Sequence, residues 1–332
     1  MGGSNNMHKP RRGSMQFWPH KRAKRAYARV RSWINRSDEI KLLGFPGYKA
    51  GMSHVLMQDP NPNSHTKGMT LQVPVTVIEC PPLKLYSIRY YQQGTYGIEL
   101  AGEVFSKKYE KQLSRKFKPT KKDGKEPEVY DDVRVVVYTQ PSKTGIGKKK
   151  PEIMELGIGG KNPQEKANFA KSLMDKEIKL SDVFKEGALV DIHSVTKGKG
   201  FSGTVKKFGV KRLQHKSEKK KRGIGCLGSW TPKKVQFTVA QAGKFGYHLR
   251  TEYNKLTLKM SENPEEINPK GGFIRYGNVK NDFILIKGSV PGPNKRLITI
   301  TEPMRLSKKF KPIQPQISYI SKESKQKWKQ MY

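Results

Sequence analysis

Lys206, Lys207, Lys211, Arg212, Lys216, Lys219, Lys220, Lys221 and Arg222 form one cationic run opposed by Glu218 alone, with too few apolar residues between them to build a core. Such a segment cannot be folded into an interior, because an unpaired buried charge is strongly unfavourable. It is confined to a surface, either as a solvated loop or laid against a polyanion. Glycines border it on both sides, at Gly198, Gly200 and Gly203 and at Gly223, Gly225 and Gly228. They let the chain turn sharply and bring backbone close to phosphate. Many cations without a carboxylate network suit a crowded phosphate surface, so nucleic-acid contact is preferred over a free loop.

The rest of the chain carries the same bias. Sixty-six Lys and Arg stand against 28 Asp and Glu, a formal charge of +38. That charge repels itself in the compact state and is expected where a polyanion neutralises it, which points to a partner before it points to a reaction. At 332 residues and 34% hydrophobic residues, about two domains with a folded core are expected. Two isolated cysteines, Cys80 and Cys226, give neither a disulfide framework nor a paired metal knuckle, and suit a reducing compartment. No run of about 18 apolar residues exists, so no membrane-spanning helix is expected. From Met1 to Ser37 there is no acidic residue. This resembles an organellar transit peptide, but Pro10, Gly13 and Pro19 disfavour one continuous amphipathic helix, and a basic arm on nucleic acid is the preferred reading.

Runs rich in β-branched and aromatic residues predict strands at Leu71 to Ile78, Leu83 to Tyr91, Val133 to Tyr138, Leu189 to Val195, Leu256 to Met260, Phe283 to Ile286 and Leu297 to Ile300. Two helices are expected. Val104, Phe105, Tyr109 and Leu113 recur at helical spacing, and Asn162, Pro163 and Glu165 supply a cap, a first-turn proline and an acid before Phe169, Ala170, Leu173 and Met174. Both helices fall between about residues 100 and 178, while strands dominate on either side. The economical reading is mainly β with an inserted α/β lobe.

The glycine clusters match the dinucleotide fingerprint GxGxxG, and the first follows a predicted strand. The fingerprint works only if its last glycine opens a helix that faces the pyrophosphate. Neither Thr204 to Gly209 nor Ser229 to Pro232 reads as such a helix, so no cofactor is expected. No phosphate-binding GxxxxGK loop, no HExxH and no zinc spacing occur, and no catalytic or metal-ligating set is expected. His193, in a strand-like stretch, reads as structural. A nucleotide-dependent enzyme using Gly198, Gly200 and Gly203 is the alternative from another class, and a basic DNA-architectural protein is a third. Salt-insensitive dinucleotide binding discriminates the first, and equal affinity for duplex DNA the second. The tryptophans sit outside apolar surroundings: Trp18 and Trp33 in the basic arm, Trp230 after the second glycine cluster, Trp328 among terminal lysines. Base stacking or wedging between RNA helices is the functional alternative to a packing anchor; for Trp230 RNA contact or packing at the loop tip is favoured over a place in the barrel core, and Trp33 and Trp328 stay open.

Six strings carry a resemblance to a known family: Pro10 to Met15 (PRRGSM), Gly47 to Met52 (GYKAGM), Val195 to Phe201 (VTKGKGF), Ala242 to His248 (AGKFGYH), Asn268 to Phe273 (NPKGGF) and Gly277 to Asp282 (GNVKND). In this order they resemble the third large-subunit ribosomal protein family over most of the chain. The arm and the inserted lobe are similar to archaeal and eukaryotic members, and the missing C-terminal extension favours the archaeal type. The resemblance implies a six-stranded translation-protein-type β-barrel, formed by residues 41–100 and 180–305. It also implies a long basic RNA-penetrating loop at 204–232, an N-terminal arm at 1–40, the lobe at 101–179 and a basic tail at 306–332. Cys226, Gly228, Trp230 and Pro232 occupy the places of the family's loop-tip motif, while Glu218 and Thr231 depart from the usual residues.

The implied role is a structural constituent of the large ribosomal subunit, not an enzyme. It would bind large-subunit ribosomal RNA, support assembly and shape the surroundings of the peptidyl transferase centre. Neighbouring large-subunit proteins are expected partners, with no membrane and no small-molecule substrate, and the location is the ribosome in the cytoplasm. The candidate RNA-binding residues are Arg11, Arg12, Trp18, Lys21, Arg22, Lys24, Arg25, Lys197, Lys199, Lys206, Lys207, Lys211, Arg212, Lys219, Lys220, Lys221, Arg222, Trp230, Lys233, Lys234, His248 and Arg250. Residues 1–37 and 204–232 are too polar and cationic to bury and are expected to stay mobile without RNA. Strong hydrogen-exchange protection of both segments in the free protein would contradict this.

Overall fold

The computed structural model describes residues 14–34, 39–61, 63–119, 124–231, 233–307, 310, 312 and 315–324. Arg11, Arg12, Pro232 and Trp328 lie outside them. Within them run the strands β1 (Gly44–Gln58), β2 (Thr70–Glu79), β3 (Leu83–Gly94), β4 (Gly97–Phe105), β5 (Asp132–Tyr138), β6 (Ile153–Gly157) and β7 (Glu177–Ile178). There follow β8 (Leu189–Val195), β9 (Gly198–Ser202), β10 (Gly243–Gly246), β11 (Leu249–Ser261), β12 (Phe283–Lys287), β13 (Leu297–Thr301) and β14 (Ile317–Ile320). The helices are α1 (Pro163–Ser172) and α2 (Thr204–Phe208). The expected mainly-β class holds, and no helix among the described residues is long and apolar enough to cross a membrane.

The chain divides into two units, residues 26–194 with 250–332, and residues 1–25 with 195–249. The larger holds two sheets. In one, pairing runs β13-β8-β11-β12-β2-β1-β14, and β1 also pairs β13, so the path of pairings returns on itself. All seven predicted strands fall within strands of the structure. The longest, β1, was not predicted; its sequence holds Gly44, Pro46, Gly47 and Gly51, residues that weaken the local strand signal. Close packing explains two of those glycines: a Cβ on Gly47 would stand 2.5 Å from the Ile78 side chain, and one on Gly51 would stand 2.6 Å from Phe273. Val75, Val77, Ile78, Leu285 and Ile300 fill the interior with no exposed surface.

The second sheet has the order β4-β3-β5-β6, with β7 against β3. Its inner face carries Ile88, Val133, Val135 and Leu156. Its other face carries a charge ladder: Arg89 bonds Glu103 at 3.1 Å and Glu155 at 3.3 Å, and Arg134 bonds Glu155 at 3.0 Å. Arg89 and Arg134 are direct cross-strand neighbours, and the two glutamates hold their like charges together. Tyr48 of β1 donates to Glu152 at 2.7 Å and so reaches the end of this sheet.

Of the two predicted helices one forms. Asn162 caps α1, accepting from the Gln164 N–H at 3.1 Å, with Pro163 in the first turn. The helix expected through Val104 and Phe105 is overturned. Those residues end β4, opposite Ile88 and Ser87, and only a 3-10 turn at Lys111–Arg115 follows. β-branched and aromatic side chains at that spacing found strand partners, and tertiary pairing overrode the local period. Trp33 packs half-buried on the core, close over Gly157, so it is a packing anchor.

His193 is structural as expected: Nδ1 contacts the Thr251 hydroxyl at 2.9 Å and Nε2 that of Thr301 at 3.1 Å. Burial lowers its pKa, opposed by the Asp191 charge. Because the folded-state pKa lies below the unfolded value of about 6.5, the folded chain resists protonation, so stability present above about pH 6.5 falls as pH drops below it. His193→Gln is expected to remove this component, at most about 1.4 kcal/mol per pH unit. Denaturation of wild type and variant between neutral and mildly acidic pH, with parallel pH dependences, would reject the assignment.

Candidate nucleic-acid interface

The smaller unit contains 21 lysine and arginine residues and a single carboxylate, Glu218. The charge of the chain is thus segregated by the fold and not only by sequence.

Its framework is the antiparallel pair β9 and β10, with Gly243 opposite Ser202 and Gly246 opposite Gly198. Gly246 has φ +74°, and a Cβ there would stand 2.1 Å from the Lys197 carbonyl, so glycine is required. The basic arm is tied to this pair. The Ala23 N–H donates to the Tyr247 carbonyl at 2.8 Å, and the Arg22 guanidinium lies over the Tyr247 ring at 5.2 Å. His248 is 6% exposed. Its Nε2 accepts from the Gly246 N–H at 3.1 Å, so the proton sits on Nδ1, which donates to the Lys21 carbonyl at 2.8 Å. Both ring nitrogens are therefore spent within the protein. His248 thus positions Lys21 and its neighbours.

One correction concerns the first glycine cluster. Gly203 does open a helix, α2, contrary to the sequence reading. It ends after five residues because Gly209 turns left-handed at φ +64°. Thr204 and Phe208 face inward while Lys206 stays exposed, and the Thr204 hydroxyl donates to the Arg222 carbonyl at 2.6 Å, drawing the base of the loop together. The helix is too short to present a pyrophosphate site, and Glu218 stands exposed in the loop.

Beyond α2 the loop exposes Lys211, Arg212, Lys219, Lys220, Lys221, Arg222, Lys233 and Lys234. Leu213 N–H to Lys221 carbonyl, 2.9 Å, is the link that folds it back. Lys197 and Lys199 are exposed on the β9 side, and Lys21, Arg22, Lys24 and Arg25 on the arm. Trp230 is 84% exposed. Trp18 behaves otherwise: it stacks on Phe208 at 5.8 Å and stands edge-on to Phe237 at 5.9 Å. Lys207 is half-buried, and desolvation lowers its pKa. Arg250, also lowered by burial, belongs to the larger unit. Sequence reasoning missed the exposed Phe201 and Phe237 in the smaller unit and Lys270, Arg275 and Lys280 on a loop of the larger. Aromatic residues between glycines or polar residues in a cationic stretch were the available signal.

A mainly-β protein with one nearly carboxylate-free cationic unit has the electrostatic character of the polyanion-binding class. The family described as Ribosomal protein L3 matches residues 3–130 and 121–327. The chain is 46% identical to large ribosomal subunit protein uL3 of Methanobrevibacter smithii, over 96% of this chain and 98% of that protein. The uL3 of Archaeoglobus fulgidus is 47% identical, again over 96% and 98%, and that of Methanothermobacter thermautotrophicus 46% identical over the same shares. The chain belongs to the ribosomal protein L3 family.

Proposed function

We propose that this protein is a structural constituent of the large ribosomal subunit, located with the ribosome in the cytoplasm, that binds large-subunit ribosomal RNA and acts as a scaffold, not a catalyst. The observation that carries this is the smaller unit, with its 21 cations to one carboxylate, in a chain of this family. Arm and loop would neutralise phosphates that otherwise repel as the RNA compacts, and the loop tip would shape the surroundings of the peptidyl transferase centre. Competition at fixed salt between large-subunit ribosomal RNA and duplex DNA tests the reading. Preference for the RNA is expected, and equal affinities would replace it with a DNA-architectural role.

Neighbouring large-subunit proteins are the proposed further partners. From Tyr90 to Ser106 the chain has no Lys or Arg, and the β3–β4 hairpin exposes Tyr96, Ile98 and Leu100, a surface that suits protein better than phosphate.

Trp230→Ala tests the loop tip. The indole is exposed, so no core is lost, and its stacking or wedging against RNA is worth roughly 1–3 kcal/mol in a much larger interface. Incorporation into subunits is expected to stay nearly intact while aminoacyl-tRNA entry or peptide-bond formation slows. Failure to assemble, or normal elongation in assembled variant ribosomes, would remove this role.

A further inference from the structure

Within the smaller unit, Trp18, Lys207, Phe208, Gln236, Phe237 and Gln241 line an open cleft of about 270 Å³. The floor is aromatic: Trp18 and Phe208 lie within 28° of parallel, and His20 adds a third ring over Phe208. Phe237 stands at 66° to Trp18 and is 71% exposed, so one face of its ring is turned to solvent beside the cleft. Of the rings that line the cleft it is the most open, Trp18 being half-buried and Phe208 buried.

The volume is below the roughly 300–1,000 Å³ of pockets that take drug-sized ligands, which suits a single planar group. The charge narrows the chemistry further. Lys207 lies 5.1 Å over the Phe208 ring and is partly desolvated, and the unit's one carboxylate is Glu218 in the loop. Val235, Val239 and Ala242 complete an apolar lining, so a planar group that carries its own negative charge fits these surroundings and a cationic one does not. The Gln236 and Gln241 amides offer both donors and acceptors at the rim, the pattern needed to meet a base edge.

We propose that this cleft receives one unpaired RNA base, stacked on the free face of Phe237, with the adjoining phosphate beside Lys207. This rests on the RNA-binding reading above and adds a defined nucleotide site to it. The site is distinct from the loop tip: its aromatic walls come from the arm, from α2 and from the chain leading into β10. Stacking recognises any base face, so the site selects for an unpaired nucleotide over a paired one and only weakly for sequence.

The full-length protein, assembled with large-subunit ribosomal RNA, is irradiated with short-wave ultraviolet light and the nucleotide-bearing peptides are mapped. In parallel, affinity for the same RNA is measured across salt for Phe237→Leu and Phe237→Tyr. Expected are adducts at Phe237 or Trp18, and an affinity loss of about tenfold for Phe237→Leu at unchanged salt slope, with Phe237→Tyr near wild type. Because Phe237 is exposed, neither variant threatens the fold. Adducts elsewhere in the smaller unit but none in the cleft, with Phe237→Leu binding as wild type does, would overturn this proposal and leave the RNA reading standing. Adducts nowhere in that unit would overturn both.

Discussion

Glutamine at positions 211, 212, 216, 219, 220 and 221 in place of Lys211, Arg212, Lys216, Lys219, Lys220 and Lys221 is expected to flatten the dependence of log affinity on log salt by about 4 units. That corresponds to about five phosphate contacts at roughly 0.7–0.9 each. Substitution is the sharper test than removing the segment from Lys206 onwards. Deletion would take Phe208 from beneath Trp18, and with it the hydrogen bond that closes the loop base at Arg222, so lost binding would mix charge with lost structure. The six substituted residues are exposed, and glutamine keeps their polarity while removing the charge. Binding at low salt should weaken by orders of magnitude and converge on wild type as salt rises, because only the counterion-linked part has been removed. A slope equal to that of wild type would put the loop in solvent and leave the arm and β9 to carry the RNA.

Glu79→Ala should cost the larger unit about 3–5 kcal/mol, from one buried and three partly buried donors left unsatisfied at about 1–3 kcal/mol each, less what rearrangement and solvent recover. Glu79 ends β2 with no exposed surface. Its carboxylate accepts from the Lys280 N–H at 2.9 Å, the Asn281 N–H at 3.0 Å, the Asn281 side-chain amide at 2.7 Å and the Tyr276 hydroxyl. Burial and that carboxylate push the Tyr276 pKa far up, so the phenol stays a donor. The cost is concentrated on one loop. Asn268 braces the same loop by accepting from Val279 N–H and donating to its carbonyl, and Arg275 sits there at φ +62°. The change should therefore also loosen the display of Lys270, Arg275 and Lys280. Chemical denaturation showing stability within half a kcal/mol of wild type would mean the four donors find other partners.

What could be read in advance depended on range. The Leu189 to Val195 strand matches β8 residue for residue, and α1 was announced by Asn162 and Pro163, since side-chain alternation and capping act within a few residues. The strand β1 was not legible, because its glycines are explained by a neighbour such as Phe273, more than two hundred positions away. Val104 and Phe105 satisfied a helical period and took a strand, as only the register with Ile88 and Ser87 decides between them. At the interface the cations were legible because charge density is a local property of sequence. The partner of His248 was not: it is a carbonyl in the arm, far away in sequence. Trp18 and Trp230 looked alike in sequence and separate in the structure, one stacked on Phe208 and the other in solvent.

The bond from His248 to Lys21 joins positions 227 apart. During synthesis that distance is a delay. At about 5–20 residues per second, on the order of 10–45 s separates emergence of the arm from emergence of the histidine that fastens it. For that interval Lys21, Arg22, Lys24 and Arg25 trail from the ribosome making the chain, within reach of any RNA nearby. The clasp closes only after most of the larger unit's strands have been made. The arm is thus made long before the residue that positions it, and its ordering waits on residue 248.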